Sequence, residues 1–412
     1  MKLLFVIPYA PSPIRVRPFS IIRELAARGH RVTVAANWSD ESEREHLRQL
    51  GKDVDQVWYE HLSRRRSVWN CLRALPSDKP LQSAYSWNPR LAARIRRELL
   101  LATTEDPFDI VHVEHLRGAA YGLRLQSQAK GRQRRGVAPI VWDSVDCISL
   151  LFEKASVGGR RLDSRLVTRF ELGRTRGFER RLLAAFQHVL VSSPIDRQAL
   201  LSLVPDGRTA RISVLTNGVD LDRFSPPERN GRVPNSIVLS GKMSYHANHS
   251  MVIHFIDRIL PLIQAELPDV KLWIVGKDPA KSVRERGRQS GIEVTGEVPH
   301  IEQYLRTASL AAAPVLYGVG IQNKVLEAMA CATPVIASSQ AVSALETMPG
   351  RDLFIEDQPP EFARAAVELL RSPEKSEALG RAGRRFVERW HSWAMVAKSL
   401  EGIYSAARLN TR

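Results

Sequence analysis

Residues 314–338 read PVLYGVGIQNKVLEAMACATPVIAS, and the rest of the chain can be ordered around them. An apolar run ends at Pro314 and Val315, two glycines (Gly318 and Gly320) make a loop, and Val325, Leu326 and Met329 then recur at the spacing of one helix face. Thr333 and Pro334 stop that helix, and residues 335–337 read as the next strand. A strand–loop–helix–strand unit of this kind belongs to a parallel α/β sheet, whose loops offer backbone N–H groups to an anion. Lys324 and Glu327 stand three residues apart near the start of the helix, so both can face one ligand, a cation for phosphate and a carboxylate for hydroxyls. An ordinary solvated helix pair is the plain alternative.

Similar units recur on either side. Residues 3–7 form an apolar run suited to a strand buried on both faces, a helix follows from about Pro18 to a cap at Gly29, and residues 31–36 give the next strand. Further strands are predicted over 109–113, 140–143, 188–192 and 212–215, while residues 60–100 read as less regular. Residues 225–231, SPPERNG, read as a linker by their turn residues. The pattern then restarts with strands at 237–241, 271–276, 292–296, 310–315, 335–337 and 353–355, a helix over 249–266, and helices over 359–408. The expected fold is therefore α/β, with two doubly wound Rossmann-like domains facing across a cleft. The predicted domains cover 1–222 and 223–388, with a C-terminal helix over 389–412 that packs back on the first domain.

Composition narrows the function classes. A chain of 412 residues exceeds one ordinary core. Cys71, Cys147 and Cys331 are scattered without metal-ligand spacing, which points away from a disulfide frame and towards a reducing, cytoplasmic setting. The opening MKLLFVIPYAPSP is too short in apolar residues for a signal peptide core and reads as the first strand. Residues 1–222 hold 36 of the 60 Lys and Arg but only 24 of the 44 Asp and Glu, so the excess positive charge lies mostly in the first half. No basic motif is interleaved with regularly spaced aromatics, which argues against nucleic acid as the partner. The basic run Arg64–Arg66 beside Trp69, Leu72 and Leu75, together with the Arg-rich residues 160–181, suits either an anionic membrane surface or a solvated helix.

Several stretches, in order, resemble glycosyltransferase family 4. They are ARGHRV at 27–32, TNGVDLDRF at 216–224, WIVG at 273–276 with Pro279, GEV at 296–298 and LEAMACATPVI at 326–336. More narrowly, LSGKMSYHAN at 239–248 with GIQNKVLE at 320–327 resembles the sugar transferases of bacterial exopolysaccharide assembly. The resemblance implies the GT-B fold, an acceptor-side first domain, a nucleotide-sugar donor domain after it, and hexosyl transfer with retention from a UDP- or GDP-linked sugar. It further implies a glycan or lipid-linked acceptor, in a cytoplasmic protein peripheral at the inner face of the membrane. Matched position by position, Glu327 is the ribose-gripping second glutamate of the family's E-x7-E motif, and Lys242 stands for its usual arginine at the diphosphate. Gly276, Glu297 and Val298 match loops around phosphates and base, with Gly320 in the loop before the helix. Three departures leave the donor sugar and phosphate contacts open: Val319 replaces the first glutamate, residues 12–17 replace a glycine pair, and Ala247 and Asn248 stand where a second lysine is expected.

The residues suggest further chemistry. Lys324 is the natural replacement for the absent lysine, and it lies where helix N–H groups already favour an anion. His115, after the strand at 109–113, is a candidate acid/base or hydroxyl-orienting group; His112 is a second, and a packed strand-end histidine is the alternative for both. Asp143 and Asp146 are comparable candidates, or helix caps. Arg15 and Arg17, in the first loop, are suited to a donor or acceptor phosphate. Cations at the leaving diphosphate make a metal unnecessary, and the Asp53/Asp55 and Asp220/Asp222 pairs are too common a pattern to assign one. Two other readings remain: a sugar-nucleotide epimerase of similar fold, and a non-catalytic GT-B scaffold.

Overall fold

The computed structural model describes residues 1–102, 106–130, 138–158, 162–204, 211–227, 231–318 and 320–409. These divide into two compact units, Met1–Thr216 with Val396–Arg412, and Asn217–Met395.

In the first unit, β1 (Lys2–Ile7), β2 (Arg31–Trp38), β3 (Gln56–His61), β4 (Ile110–Glu114), β5 (Ile140–Val145), β6 (His188–Val191) and β7 (Arg211–Val214) pair in the order 3-2-1-4-5-6-7. Every pairing is parallel. β1 is central, which is why Leu3 through Ile7 are buried without a polar face. Its registers, Leu3 with Val32 on one side and with Ile110 on the other, bring the carboxyl ends of β1 and β4 together.

In the second unit, β8 (Val233–Ser240), β9 (Lys271–Val275), β10 (Ile292–Gly296), β11 (Ala308–Ala313), β12 (Val335–Ala337) and β13 (Phe354–Ile355) pair in the order 10-9-8-11-12-13. These strands are also parallel. The order reverses beside β8, between β9 and β11, and that switch point is where ligands of such sheets bind. Residues 217–224 pack with this unit: Val219 and Phe224 join its core, and Val219 N donates to His391 O at 2.7 Å.

Three local expectations change. β3 adds an edge strand, and residues 60–100 hold the helices Arg64–Ala74, Leu81–Tyr85 and Pro89–Ala102. The helix expected over 249–266 is His246–His254, a π-helical turn Phe255–Ile259, and Leu260–Glu266. Pro261 has no N–H for a regular helical bond, so the bonding pattern shifts just ahead of it. Val396–Leu409 of the last helix lies against the first unit: Glu401 accepts from Arg28 at 2.8 Å, and Arg408 pairs with Asp109 at 2.8 Å.

Candidate functional site

At the β8 switch point, two glycine turns touch. Gly276 has φ +151°, and a Cβ there would stand 1.8 Å from the Gly241 carbonyl oxygen, so only glycine lets the loops after β8 and β9 meet. Met243 N bonds Lys277 O at 2.9 Å and Gly276 N bonds Gly296 O at 3.0 Å, stitching the ends of β8, β9 and β10. Lys324 crosses this surface: its Cε would lie 3.4 Å from a Cβ on Gly241. Its ammonium donates to Gln322 Oε1 at 2.8 Å, and burial pushes its pKa down to about 8, against the pull of Glu327. Lys242, in the same turn as Gly241, has an exposed side chain, and its carbonyl is held by Asn248 Nδ2 at 3.0 Å. Asn248, which with Ala247 stands where a lysine was expected, therefore helps to hold the turn, together with Tyr245 N on the same carbonyl at 3.1 Å.

Glu327 follows Lys324 on the helix Asn323–Ala330. The two form no ion pair with each other among the described residues, so their spacing is not spent on a surface bridge. Burial raises the Glu327 carboxyl above its usual range, with Lys324 and then Arg223 drawing it back. Gly320, at φ +68°, leads into this helix in the left-handed region, while Val319 lies outside the described residues. Glu297 faces Lys277 at 3.2 Å in an exposed pair, and Val298 packs at the edge of the core.

The corresponding strand ends of the first unit carry a buried polar network. Arg17 donates through Nη2 and Nε to Asp143 Oδ2 at 2.9 and 3.1 Å, and through Nη1 to Thr216 O at 3.3 Å. The second Asp143 oxygen accepts from Val145 N at 3.0 Å. Arg17 and Asp143 thus serve each other, where the sequence offered both as phosphate or acceptor contacts. Arg15 lies over the Tyr9 ring at 4.6 Å and pairs with Glu43 at 2.9 Å. His112 stacks on Phe5, shares a 2.8 Å hydrogen bond through Nδ1 with Tyr404 of the last helix, and turns Nε2 towards Glu114 at 3.5 Å. Burial pushes the Glu114 carboxyl up.

His115 begins the next helix at φ +61°, and Val145 has φ +67°, so two non-glycine residues hold strained backbone beside this network. The His115 Nδ1 accepts from Arg117 N at 3.3 Å, which leaves the proton of the neutral ring on Nε2. Burial, with Arg117 adding to it, lowers its pKa to about 4, so the ring is neutral at ordinary pH. Asp146 accepts from Ser192 Oγ at 3.1 Å and is pushed up to about 6 by burial, with Asp196 adding to the shift.

Two family models match this chain, a glycosyltransferase 4-like domain over residues 14–218 and glycosyl transferases group 1 over residues 234–372. The chain belongs to glycosyltransferase family 4. The solved structure of HepE from Anabaena in complex with UDP and glucose superposes with a TM-score of 0.68 at 14% identity, covering 98% of this chain and 100% of that one. That likeness places the chain among GT-B folds. A similar protein is the GDP-mannose-dependent monoacylated alpha-(1-6)-phosphatidylinositol monomannoside mannosyltransferase of Corynebacterium glutamicum, 27% identical over 46% of this chain and 55% of that protein. The D-inositol 3-phosphate glycosyltransferase of Segniliparus rotundus is 25% identical over 48% of this chain and 47% of its own length. The chain spans about half the length of these relatives.

Within this family member, three ligand-type atoms of His112, Glu114 and Asp143 lie within 4.8 Å of one another, a grouping that could hold a metal ion. Arg17 already supplies the positive charge on Asp143, so a divalent ion would bring a second cation against the guanidinium. The aspartate pairs of the sequence are engaged elsewhere: Asp53 with Arg23, Asp55 with Arg31, and Asp220 Oδ1 with the backbone N–H groups of Asp222 and Arg223.

Sequence reasoning missed Tyr317, His246 and Arg223. Tyr317 OH shares hydrogen bonds of 3.1 Å with His246 Nδ1 and with Ser250 Oγ, its ring stacks on His246, and so the β8 and β11 loops are joined. Arg223 pairs with Glu302 at 3.1 Å and acts on Glu327. Arg223 sits in the quoted TNGVDLDRF stretch, which was the available signal; the pairing of residues 246 and 317 had none.

Proposed function

We propose that this protein is a retaining hexosyltransferase that moves a sugar from a UDP- or GDP-linked donor to a glycan or lipid-linked acceptor in exopolysaccharide or cell-envelope synthesis. One observation carries the reading: Lys324 lies over the Gly241 turn, whose next residue is the exposed Lys242, and one helical turn before Glu327. Two ammonium groups and the N–H groups of the glycine loops suit a diphosphate, while a carboxylate without a side-chain partner among the described residues suits ribose hydroxyls. Charge on the leaving diphosphate grows towards the transition state, so fixed cations there act on rate as well as on binding. In this proposal the cations replace a metal, and transfer persists in EDTA. In the first unit, neutral His115 would offer Nε2–H to an acceptor or sugar hydroxyl.

The relatives named above, a mannosyltransferase acting on a phosphatidylinositol mannoside and an inositol phosphate glycosyltransferase, support an envelope-type acceptor. No described helix is long and apolar enough to cross a membrane, and the proposed setting is the inner face of the cell membrane, approached from the cytoplasm. Incubation with UDP- and GDP-sugars tests the reading. Transfer that requires an added acceptor supports it; interconversion of the donor sugar without acceptor means an epimerase, and neither event means a scaffold. Loss of transfer in EDTA, restored by magnesium or manganese, removes the metal-independent mechanism.

A further inference from the structure

The helix Arg64–Ala74 is turned the wrong way for a soluble protein. On an ordinary surface helix the large apolar side chains face the core and small or polar ones face water. Here Ser67 and Ala74 are the buried residues, while Val68, Trp69 and Leu72 are 55%, 53% and 53% exposed, continued by Leu75 at the C-cap. At 100° per residue these four side chains occupy one outward arc, opposite the buried arc of Ser67 and Ala74.

The orientation is fixed rather than loose. Ser63 Oγ caps the first turn by accepting from Arg66 N at 3.3 Å. The inward arc is anchored by Asn70, whose Nδ2 donates to Trp87 O at 2.8 Å, and by Cys71, whose Sγ approaches Leu81 O at 3.6 Å. Arg174 closes the other end, donating to the carbonyls of Ala74, Leu75 and Ser77 while stacking 4.4 Å from the Phe170 ring. Phe170 is itself 50% exposed, a further apolar group near the helix end that Arg174 closes. Rolling the helix to bury its apolar arc would break the bonds that Asn70, Cys71 and Arg174 make across its contacts.

Charge identifies the occupant. Between Leu62 and Ser77 there are four arginines and no acidic residue. Arg64, Arg65, Arg66 and Arg73 are exposed around the apolar arc. A second copy of the chain docking through this face would set the same guanidiniums against each other. A bilayer containing acidic lipids satisfies both features, with apolar groups in the acyl boundary and guanidiniums reaching phosphates. We infer that the helix Arg64–Ala74 lies in the interface of an anionic lipid membrane and docks the first unit there. The contact stands on this surface alone; its purpose, access to a lipid-linked acceptor, rests on the proposed transfer reaction.

Co-sedimentation with vesicles of phosphatidylcholine and phosphatidylglycerol tests it, with pure phosphatidylcholine as the comparison. The wild type is expected in the mixed-vesicle pellet at low salt and to leave it as salt rises. Arg64→Gln with Arg65→Gln should weaken binding by about tenfold or more, since each arginine near an anionic surface contributes about fivefold. Trp69→Ser with Leu72→Ser should weaken it comparably, and both pairs should keep the wild-type melting temperature because the side chains are exposed. Wild type that stays in the supernatant, or variants that pellet like wild type, overturn the inference. So does a concentration-dependent dimer in sedimentation velocity that Trp69→Ser with Leu72→Ser abolishes, seen without vesicle binding. A thermal-shift titration with UDP and GDP separates the two readings. Vesicle binding without nucleotide binding retires the transfer reaction and leaves the docking helix; nucleotide binding without vesicle binding does the reverse.

Discussion

The two units hold the cations at their strand ends in different ways. In the first, one ion pair is closed: Arg17 grips Asp143, which also takes a backbone N–H, and Tyr404 holds His112, while Glu114 beside them is pushed up by burial. In the second, Lys242 is exposed, the Lys324 ammonium bonds a neutral amide and pairs with no carboxylate among the described residues, and Glu327 is held above its usual range by burial. A pair closed by its own short hydrogen bonds gains little from a ligand, whereas desolvated groups that feel each other without a direct bond gain more. The contrast teaches which residues of the sequence list should report in stability and which in binding or rate.

The sharpest way to break this contrast is Asp143→Ala. It strands the buried Arg17 guanidinium, and loss of one partner from a buried pair costs about 3–5 kcal/mol of folding stability. Urea unfolding measures it; a wild-type midpoint would show that the pair is not the closed structural unit described. Next is Lys324→Ala, expected to lower turnover by about 2.7–4 kcal/mol in activation free energy, the range for removing one preorganised donor, with the urea midpoint nearly unchanged. Near-normal kcat would return Lys324 to an ordinary helix surface.

Glu327→Ala should weaken nucleotide binding by about 1.5–3 kcal/mol, the range for a hydrogen bond to a charged group. Calorimetric titration with UDP and GDP decides; unchanged affinity in a folded variant takes Glu327 out of the site. The smallest effect is one of pH. The Lys324 ammonium is present below its pKa of about 8 and lost above it, so kcat/KM should fall about tenfold per unit at higher pH. His115, already neutral above its pKa of about 4, adds no limb near neutrality. A Lys324→Arg variant should move the alkaline limb upward, and a limb that stays near 8 assigns it to another group.

Much of the architecture was legible because periodicity reports burial directly. The uninterrupted apolar run of β1 and the helix face at Val325, Leu326 and Met329 announce a doubly wound sheet. The helix at 64–74 was legible only as a basic stretch with apolar residues, and which way those residues face was left open. Its apolar residues face outward, so its pattern carries the opposite sign. At the site, Lys324 and Glu327 could be singled out by helical spacing, and Lys242 and Gly276 by resemblance. Asn248 reads in sequence as a missing lysine, whereas in the fold its amide holds the Lys242 carbonyl.

By itself the sequence determined the family, the two α/β units and the residue types available for a diphosphate, because local spacing and motif order are properties of neighbours along the chain. Only the tertiary structure decided that Arg17 meets Asp143 across 126 residues and that His112 meets Tyr404 across 292. Whether a cation is spent or available depends on what the fold brings within about 3.5 Å of it, because a hydrogen bond weakens steeply beyond that. Sequence separation carries no information about such a distance.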